Sequence, residues 1–228
     1  MPHNSRSKLY WFALVLLTCC CSCTRMILGT YGIRSVKPLS DKAIVRVAHR
    51  YGIEKESLYT VDSGNYYRFL RQIKKNKKQA GFSMSFTAGG MIWGDGTAHG
   101  LGQPLQYLLF DRNGKLVSWH INCITGGWPN LKWNRNGNFD IFPPPAGTQI
   151  DSNITLELLQ PYWRPVQHSG TTAQGDYTCV VYWARFMGRQ SRRLVHLARG
   201  NAAKVSPGMK ITYLFVNDDN YFYHAYSR

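Results

Sequence analysis

The sequence predicts an α/β fold, and three observations carry that reading. Cys179 to Ala184 is an unbroken apolar run rich in β-branched and aromatic residues, the composition of a strand buried on both faces. After a break at Phe186-Met187-Gly188, Leu194, Leu197 and Ala198 recur at i, i+3, i+4, which is helical spacing, with Gly200-Asn201 as the expected stop. A second apolar run, Ile211 to Val216, follows and ends in Asn217-Asp218-Asp219. Strand, helix, strand in that order is a βαβ unit with a right-handed crossover and parallel strands.

The 228 residues allow one large domain or two small ones. Apolar content of 44% and charged content of 18% are those of a globular protein. A formal net charge of +16 points to anionic partners: nucleic acid, anionic lipid head groups or acidic glycans. The charge is dispersed except at Lys74-Lys75-Asn76-Lys77-Lys78, and no recognised nucleic-acid motif accompanies it, which argues against nucleic acid.

Arg6 and Lys8 precede the ten-residue apolar stretch Leu9 to Thr18. A helix needs about 20 apolar residues to cross a bilayer, so this stretch suits the core of a signal peptide instead. Cys19-Cys20-Cys21-Ser22-Cys23 comes next. A cysteine directly after such a stretch resembles a bacterial lipoprotein signal, which implies a thiol that is acylated and becomes the new N-terminus. Ser22-Cys23 has the small residue that this pattern wants before the cysteine, while Cys19 and Cys20 are the alternatives; metal binding by the cluster and plain signal residues are the competing readings. The resemblance implies a membrane partner through the lipid and a place in the cell envelope. No Asp follows the cluster, and the outer membrane is expected by analogy with lipoprotein sorting. Residues 1–23 are thus expected to be signal peptide and acylation region, and 24–39 a tether.

A single domain is expected over 40–228. Ser40 is a candidate N-cap for a helix in which Ile44, Val47, Ala48 and Tyr51 recur at i, i+3, i+4, i+7 and which Gly52 closes. Leu58 to Val61 is a short β-prone run. A further helix starts at Tyr66, and the basic run 74–78 is expected to end it. Seven glycines between Gly81 and Gly102 predict a loop or irregular hairpin with no phosphate-binding pattern. Asp95 and His99 within it are too few for a metal or acid–base site. Leu105 to Phe110 and Lys115 to Ile121 form the clearest hairpin, turning at Asp111-Arg112-Asn113-Gly114.

Residues 122–147 are dominated by asparagine, glycine, tryptophan and proline, and their aromatic residues argue against disorder. One reading is a binding surface for a glycan or peptide built from Trp128, Asn130, Lys132, Trp133, Asn134 and Arg135. The other is a lid whose aromatics pack onto the sheet. Residues 154–168 are expected to hold a short helix and a loop.

The stretch Tyr182-Trp183-Ala184-Arg185-Phe186-Met187-Gly188-Arg189-Gln190 resembles the active-site turn of thioredoxin-like proteins, especially their membrane-anchored thiol-disulfide branch. That family has an aromatic, Trp-Ala, one residue, an aromatic, then Cys-Gly-Pro-Cys and a basic helix. Here Met187 and Gln190 stand at the two cysteine positions, with Gly188 and Arg189 between them. Redox exchange needs a thiolate, and neither a thioether nor an amide supplies one. The proline-led hairpin is also similar to the family's, which makes Pro104 a candidate cis-proline, although Pro104 to Asp111 is one residue longer than the family spacing. In the family the hairpin follows the βαβ unit; here it precedes it. The resemblance therefore implies a circularly permuted, thioredoxin-like mixed four-stranded sheet with flanking helices, in the order 211–216, 178–184, 105–110, 116–121, with 178–184 antiparallel to 105–110. The whole chain is also similar to lipoproteins of Bacteroidetes-type bacteria.

Three functions remain in competition. The first is a redox-inactive envelope lipoprotein acting as a binding or assembly module, with no cofactor or metal and a protein, peptide or glycan partner. The second is a thiol-dependent redox enzyme using Cys123 or Cys179. The third is a hydrolase or metal enzyme built on His99, His120, His168 or His196, for which the spacing offers no His/Asp/Glu cluster. In the expected sheet Cys179 and Cys123 lie at opposite ends of strands two positions apart, roughly 20 Å along the strands, so no disulfide can join them.

Overall fold

The computed structural model of the chain describes residues 26, 28–79, 86, 87, 90, 91, 100–167 and 175–227. Its elements are α1 (Asp41–Arg50), β1 (Leu58–Val61), α2 (Ser63–Gln79), β2 (Phe86–Thr87), β3 (Gly90–Met91), β4 (Gln106–Asp111), β5 (Leu116–Ile121), α3 (Asn122–Thr125), α4 (Leu156–Leu159), β6 (Trp163–Pro165), β7 (Tyr177–Trp183), α5 (Gly188–Ala202), β8 (Ile211–Asn217) and α6 (Asp219–Tyr226). Six of the strands form one mixed sheet in the order β5-β4-β7-β8-β1-β6, and β2 and β3 pair separately. The acylation region with Cys19, Cys20 and Cys23, the pair Asp95 and His99, and His168 lie outside the described residues. Among those described, no helix is long and apolar enough to cross a membrane.

The four expected strands stand in the expected order. β7 runs parallel to β8, with Cys179 opposite Tyr213, and antiparallel to β4, with Cys179 opposite Leu109. β4 is antiparallel to β5. The expected count of four is corrected to six. β1 joins the free edge of β8 in parallel, and β6 joins β1 antiparallel. A bare β8 edge would leave a row of backbone groups unpaired, and Leu58-Tyr59-Thr60-Val61 supplies their partners. The new edge strand is three residues long and ends in Pro165, two of the devices that keep an edge from templating further pairing. Within residues 154–168, expected to hold a short helix and a loop, the helix is α4 and part of the loop is the strand β6.

Side chains alternate along β7, and each face receives its own helices. On one face, Trp183 meets Tyr51 edge-on at 5.6 Å beyond the end of α1, and Tyr107 of neighbouring β4 reaches Asn201 of α5. On the other, Tyr182 stacks on Tyr66 of α2 at 6.3 Å and accepts the indole N–H of Trp163 at 2.8 Å. Tyr66 in turn meets Tyr221 of α6. The apolar run 179–184 is fully buried because both faces are covered.

The helices depart from expectation where tertiary contacts outweigh local signals. Ser40 caps α1 by accepting the Ala43 N–H, and Ile44, Val47 and Ala48 are buried as their spacing predicts. α2 starts at Ser63, where Asp62 accepts the Asn65 N–H, and runs through the basic stretch to Gln79. Lysine and glutamine are good helix formers, so the run continues the helix rather than ending it. α5 likewise passes through Gly200-Asn201. The Asn201 amide donates to the carbonyls of Phe139 at 3.0 Å and Ile141 at 2.6 Å, and these bonds hold the last turn. The chain after β8 forms α6, which burial of Tyr221 and Phe222 pins to the core. The peptide bond before Pro104 is not in cis; the cis bonds are Trp128–Pro129 and Phe142–Pro143. The chain enters β4 through a turn in which Gln106 donates to the carbonyls of Leu101 and Gln103, so an ordinary trans bond serves there.

Residues 122–147 close over the sheet edge. Phe139 packs between Tyr107 and His120, with ring centroids 5.1 and 4.5 Å away, and Leu131 and Trp133 are buried beside it. Gly147 lies so close to the His120 ring that a Cβ there would fall 2.3 Å from Nδ1. Burial pushes the His120 imidazole down to about 4. An unfolded histidine takes up a proton below about pH 6.5. The neutral ring therefore contributes its full stability above pH 6.5 and loses it as the pH falls toward 4, because only the unfolded chain is protonated in that window. Between pH 7 and pH 4.5 the loss from this group should be about 2–3 kcal/mol. Urea denaturation at the two pH values measures it, and His120→Gln should flatten the dependence; an unchanged slope in that variant would show that another group carries it.

Candidate functional site

The turn after β7 is assembled from short-range constraints. Ser191, one turn into α5, folds back so that its Oγ donates to the Ala184 carbonyl at 2.6 Å and accepts the Ala184 N–H at 3.2 Å. Asp219, the first residue of α6, accepts the backbone N–H groups of Arg185 and Phe186 and the Asn217 amide at 2.9 Å. Burial raises the Asp219 carboxyl above the usual range, and the three donors pull it partly back. Its neighbour Asp218 is raised well above that range by burial and by the adjacent Asp219.

Met187 and Gln190 are both buried within this turn, and each is used structurally. Gln190 Oε1 accepts the Leu131 N–H at 3.1 Å, so the amide ties α5 to the lid segment. Residues 28–39 do not form a free tether. They cross the turn: the Arg34 N–H donates to the Phe186 carbonyl at 2.7 Å, and the Arg185 guanidinium donates to the Ser35 carbonyl at 2.8 Å. Leu39 and Asn220 exchange a pair of hydrogen bonds at 2.7 and 2.9 Å. At the crossing the two backbones meet at Gly32 and Gly188, where a Cβ on Gly188 would lie 1.9 Å from the Gly32 oxygen.

Between this segment, the lid and α5 opens a groove of about 1060 Å³. Arg34, Arg50, Arg185, Arg189, Arg192 and Arg193 line it, together with His196, and no acidic residue does. Sequence reasoning missed the group because it comes from three distant segments and only the lysine run 74–78 stands out as a charge cluster. A signal was present: Arg189, Arg192, Arg193 and His196 follow one stripe of α5, opposite the buried Ser191, Leu194, Val195 and Ala198, with Arg185 in the turn just before it.

The residues of the sequence-derived binding surface divide. Trp128 is 58% exposed, and Lys132 and Arg135 are exposed, whereas Trp133 is 7% exposed and has no free face for stacking. Asn134 closes a turn by accepting the Phe139 N–H and donating to Asp140, and Asn130 accepts from Arg193. Cys123 and Cys179 are both free. Cys179 is buried, which raises its thiol far above the ordinary value; Cys123 is exposed, and desolvation raises its thiol too, so neither is primed as a thiolate. Among the described residues no three His, Cys, Asp or Glu side chains cluster as metal ligands. His120 sits buried under the lid, and His196 is exposed on the groove.

The class defined by these observations is an α/β protein with a six-stranded mixed sheet and flanking helices. No protein-family model, curated protein or solved structure matches the chain.

Gly188 has φ +44° in addition to the close approach of Gly32. Gly188→Ala should therefore cost about 2–4 kcal/mol, from backbone strain and overpacking together. Thermal or urea denaturation measures this, and a change below about 0.5 kcal/mol, the size of an ordinary surface substitution, would mean that residues 28–39 do not lie on the turn.

Proposed function

We propose that the chain is a redox-silent, circularly permuted thioredoxin-like lipoprotein of the cell envelope that serves as a binding or assembly module. The observation that carries this reading is the fate of the two motif positions: Met187 is covered and Gln190 is committed to a backbone hydrogen bond. Strand order and direction in β8-β7-β4-β5 support the thioredoxin-like assignment, and the hairpin's place before the βαβ unit in the chain supports permutation. The raised thiols of Cys123 and Cys179 weigh against the redox alternative.

Insulin reduction decides between the two. The purified protein should leave insulin disulfides intact in the presence of a thiol reductant beyond the reductant's own rate. Turnover that Cys123→Ala or Cys179→Ala abolishes would establish the enzyme instead.

The lipoprotein part of the reading rests on the cysteine cluster after the apolar stretch 9–18. Palmitate labelling in a bacterial host should be lost when Cys19, Cys20, Cys21 and Cys23 are all replaced by serine. Labelling that persists would sink it.

A further inference from the structure

We infer that the arginine-walled groove is a binding site for a compact polyanion, a ligand carrying several phosphate or sulfate groups. The inference deepens the binding-module reading by giving the module a ligand class. Six guanidinium groups face one concavity with no carboxylate among the lining residues. Such a concentration of like charge is unfavourable to the folded state unless something neutralises it. Among the described residues, Arg34, Arg50, Arg189 and Arg192 form no ion pair with an acid, although Arg112, Arg164, Arg199 and Lys204 elsewhere each do. Arg185 Nε is buried without a hydrogen-bond partner while its Nη2 is anchored to the Ser35 carbonyl, so that side chain is held in place with donor capacity to spare. The groove also lies over the start of α5, where no side chain caps the helix and no acidic residue occupies the first turn, so the positive end of its dipole adds to the field.

The residue type narrows the ligand. All six basic groups in the lining besides His196 are arginine, although lysine supplies 12 of the chain's 28 basic residues. Arginine presents a planar fork that meets two oxygens of one phosphate, sulfate or carboxylate. Carboxylates carry one charge each, so a match for six guanidinium groups in about 1060 Å³ calls for the higher charge density of phosphate or sulfate esters. The walls come from four segments, 32–34, 50–51, 131–134 and 185–197, which makes the site concave. A bilayer surface or a nucleic-acid duplex would meet its rim and leave the inner arginines unpaired.

Isothermal titration calorimetry of the full chain in detergent micelles tests this, with inorganic tripolyphosphate as the probe. Saturable one-to-one binding is expected, tighter than that of single phosphate and weakening with salt. The Arg189 and Arg192 side chains are exposed and make no hydrogen bond, so Arg189→Gln with Arg192→Gln should not lower the melting temperature while weakening tripolyphosphate binding tenfold or more. Lys55→Gln with Lys115→Gln removes the same charge away from the groove and should change the affinity less than twofold. Equal losses in the two double variants would overturn the inference in favour of diffuse charge attraction, as would binding no tighter than single phosphate. Mixed micelles containing anionic lipid, a DNA duplex and polyglutamate are titrated in parallel. Tighter binding of any of these, sensitive to the α5 variants, would replace the compact polyanion with that macromolecule or surface. Both readouts are independent of insulin reduction, so failure here leaves the redox-silent reading standing.

Discussion

The structure depends on one constraint, the abrupt end of its central strand. β7 is buried on both faces and flanked on both edges, so every backbone group along it is paired within the sheet. At Trp183 the chain must leave that environment and start a helix within five residues. The N–H groups released there have no strand to meet, and Asp219 accepts two of them. A carboxylate buried this deeply is costly unless donors surround it. Three do, and they come from Arg185, Phe186 and Asn217, so the acid and the turn stabilise each other. This explains why β8 ends in Asn217-Asp218-Asp219: the same stretch that finishes one strand secures the exit of its neighbour. Once the turn is fixed, the direction of α5, the position of Gln190 and the floor of the groove follow.

The fold was legible where burial alone sets the structure. Cys179 to Ala184, Ile211 to Val216 and the Leu105–Ile121 hairpin read correctly as strands because apolar composition and turn chemistry agree there. The order expected for them is also the order found, β8-β7-β4-β5. What failed were signals that tertiary contacts override. Gly200-Asn201 has the form of a helix stop, yet Asn201 is fully buried and spends its amide on the lid. Leu58–Val61 is four residues long, too short to announce which edge it will fill. The C-terminal α6 has a weak apolar stripe and is helical because Tyr221 and Phe222 pack onto Tyr66 and Phe186.

The candidate site was legible only in part. That Met187 and Gln190 stand where the resemblance would put two cysteines can be read directly from residues 187–190. That both side chains are enclosed cannot, since the contact that commits Gln190 comes from Leu131, 59 positions away. Separation along the chain also hides the arginine groove. Three of its arginines, Arg189, Arg192 and Arg193, share α5 and could be counted from the sequence, but Arg34, Arg50 and Arg185 join them only through the fold. Trp133 shows the converse: an aromatic in a polar segment suggests a stacking surface, and this one is buried instead because burying an indole gains more than exposing it.

The crossing also sets how the molecule responds to force. Residues 28–39 are fastened by the Arg34–Phe186 bond, the Arg185–Ser35 bond and the paired Leu39–Asn220 bonds, all at the end of the sheet where β7 and β8 finish. A pull on the chain from before residue 28 reaches the bond at Arg34 before those at Leu39, and it reaches all of them before any strand. These contacts would open in succession, like a zip, while the strand pairs of the sheet remain unloaded. Because Gly32 and Arg34 form one wall of the groove, tension would dismantle that wall first. The strap and the groove are in this sense one mechanical unit.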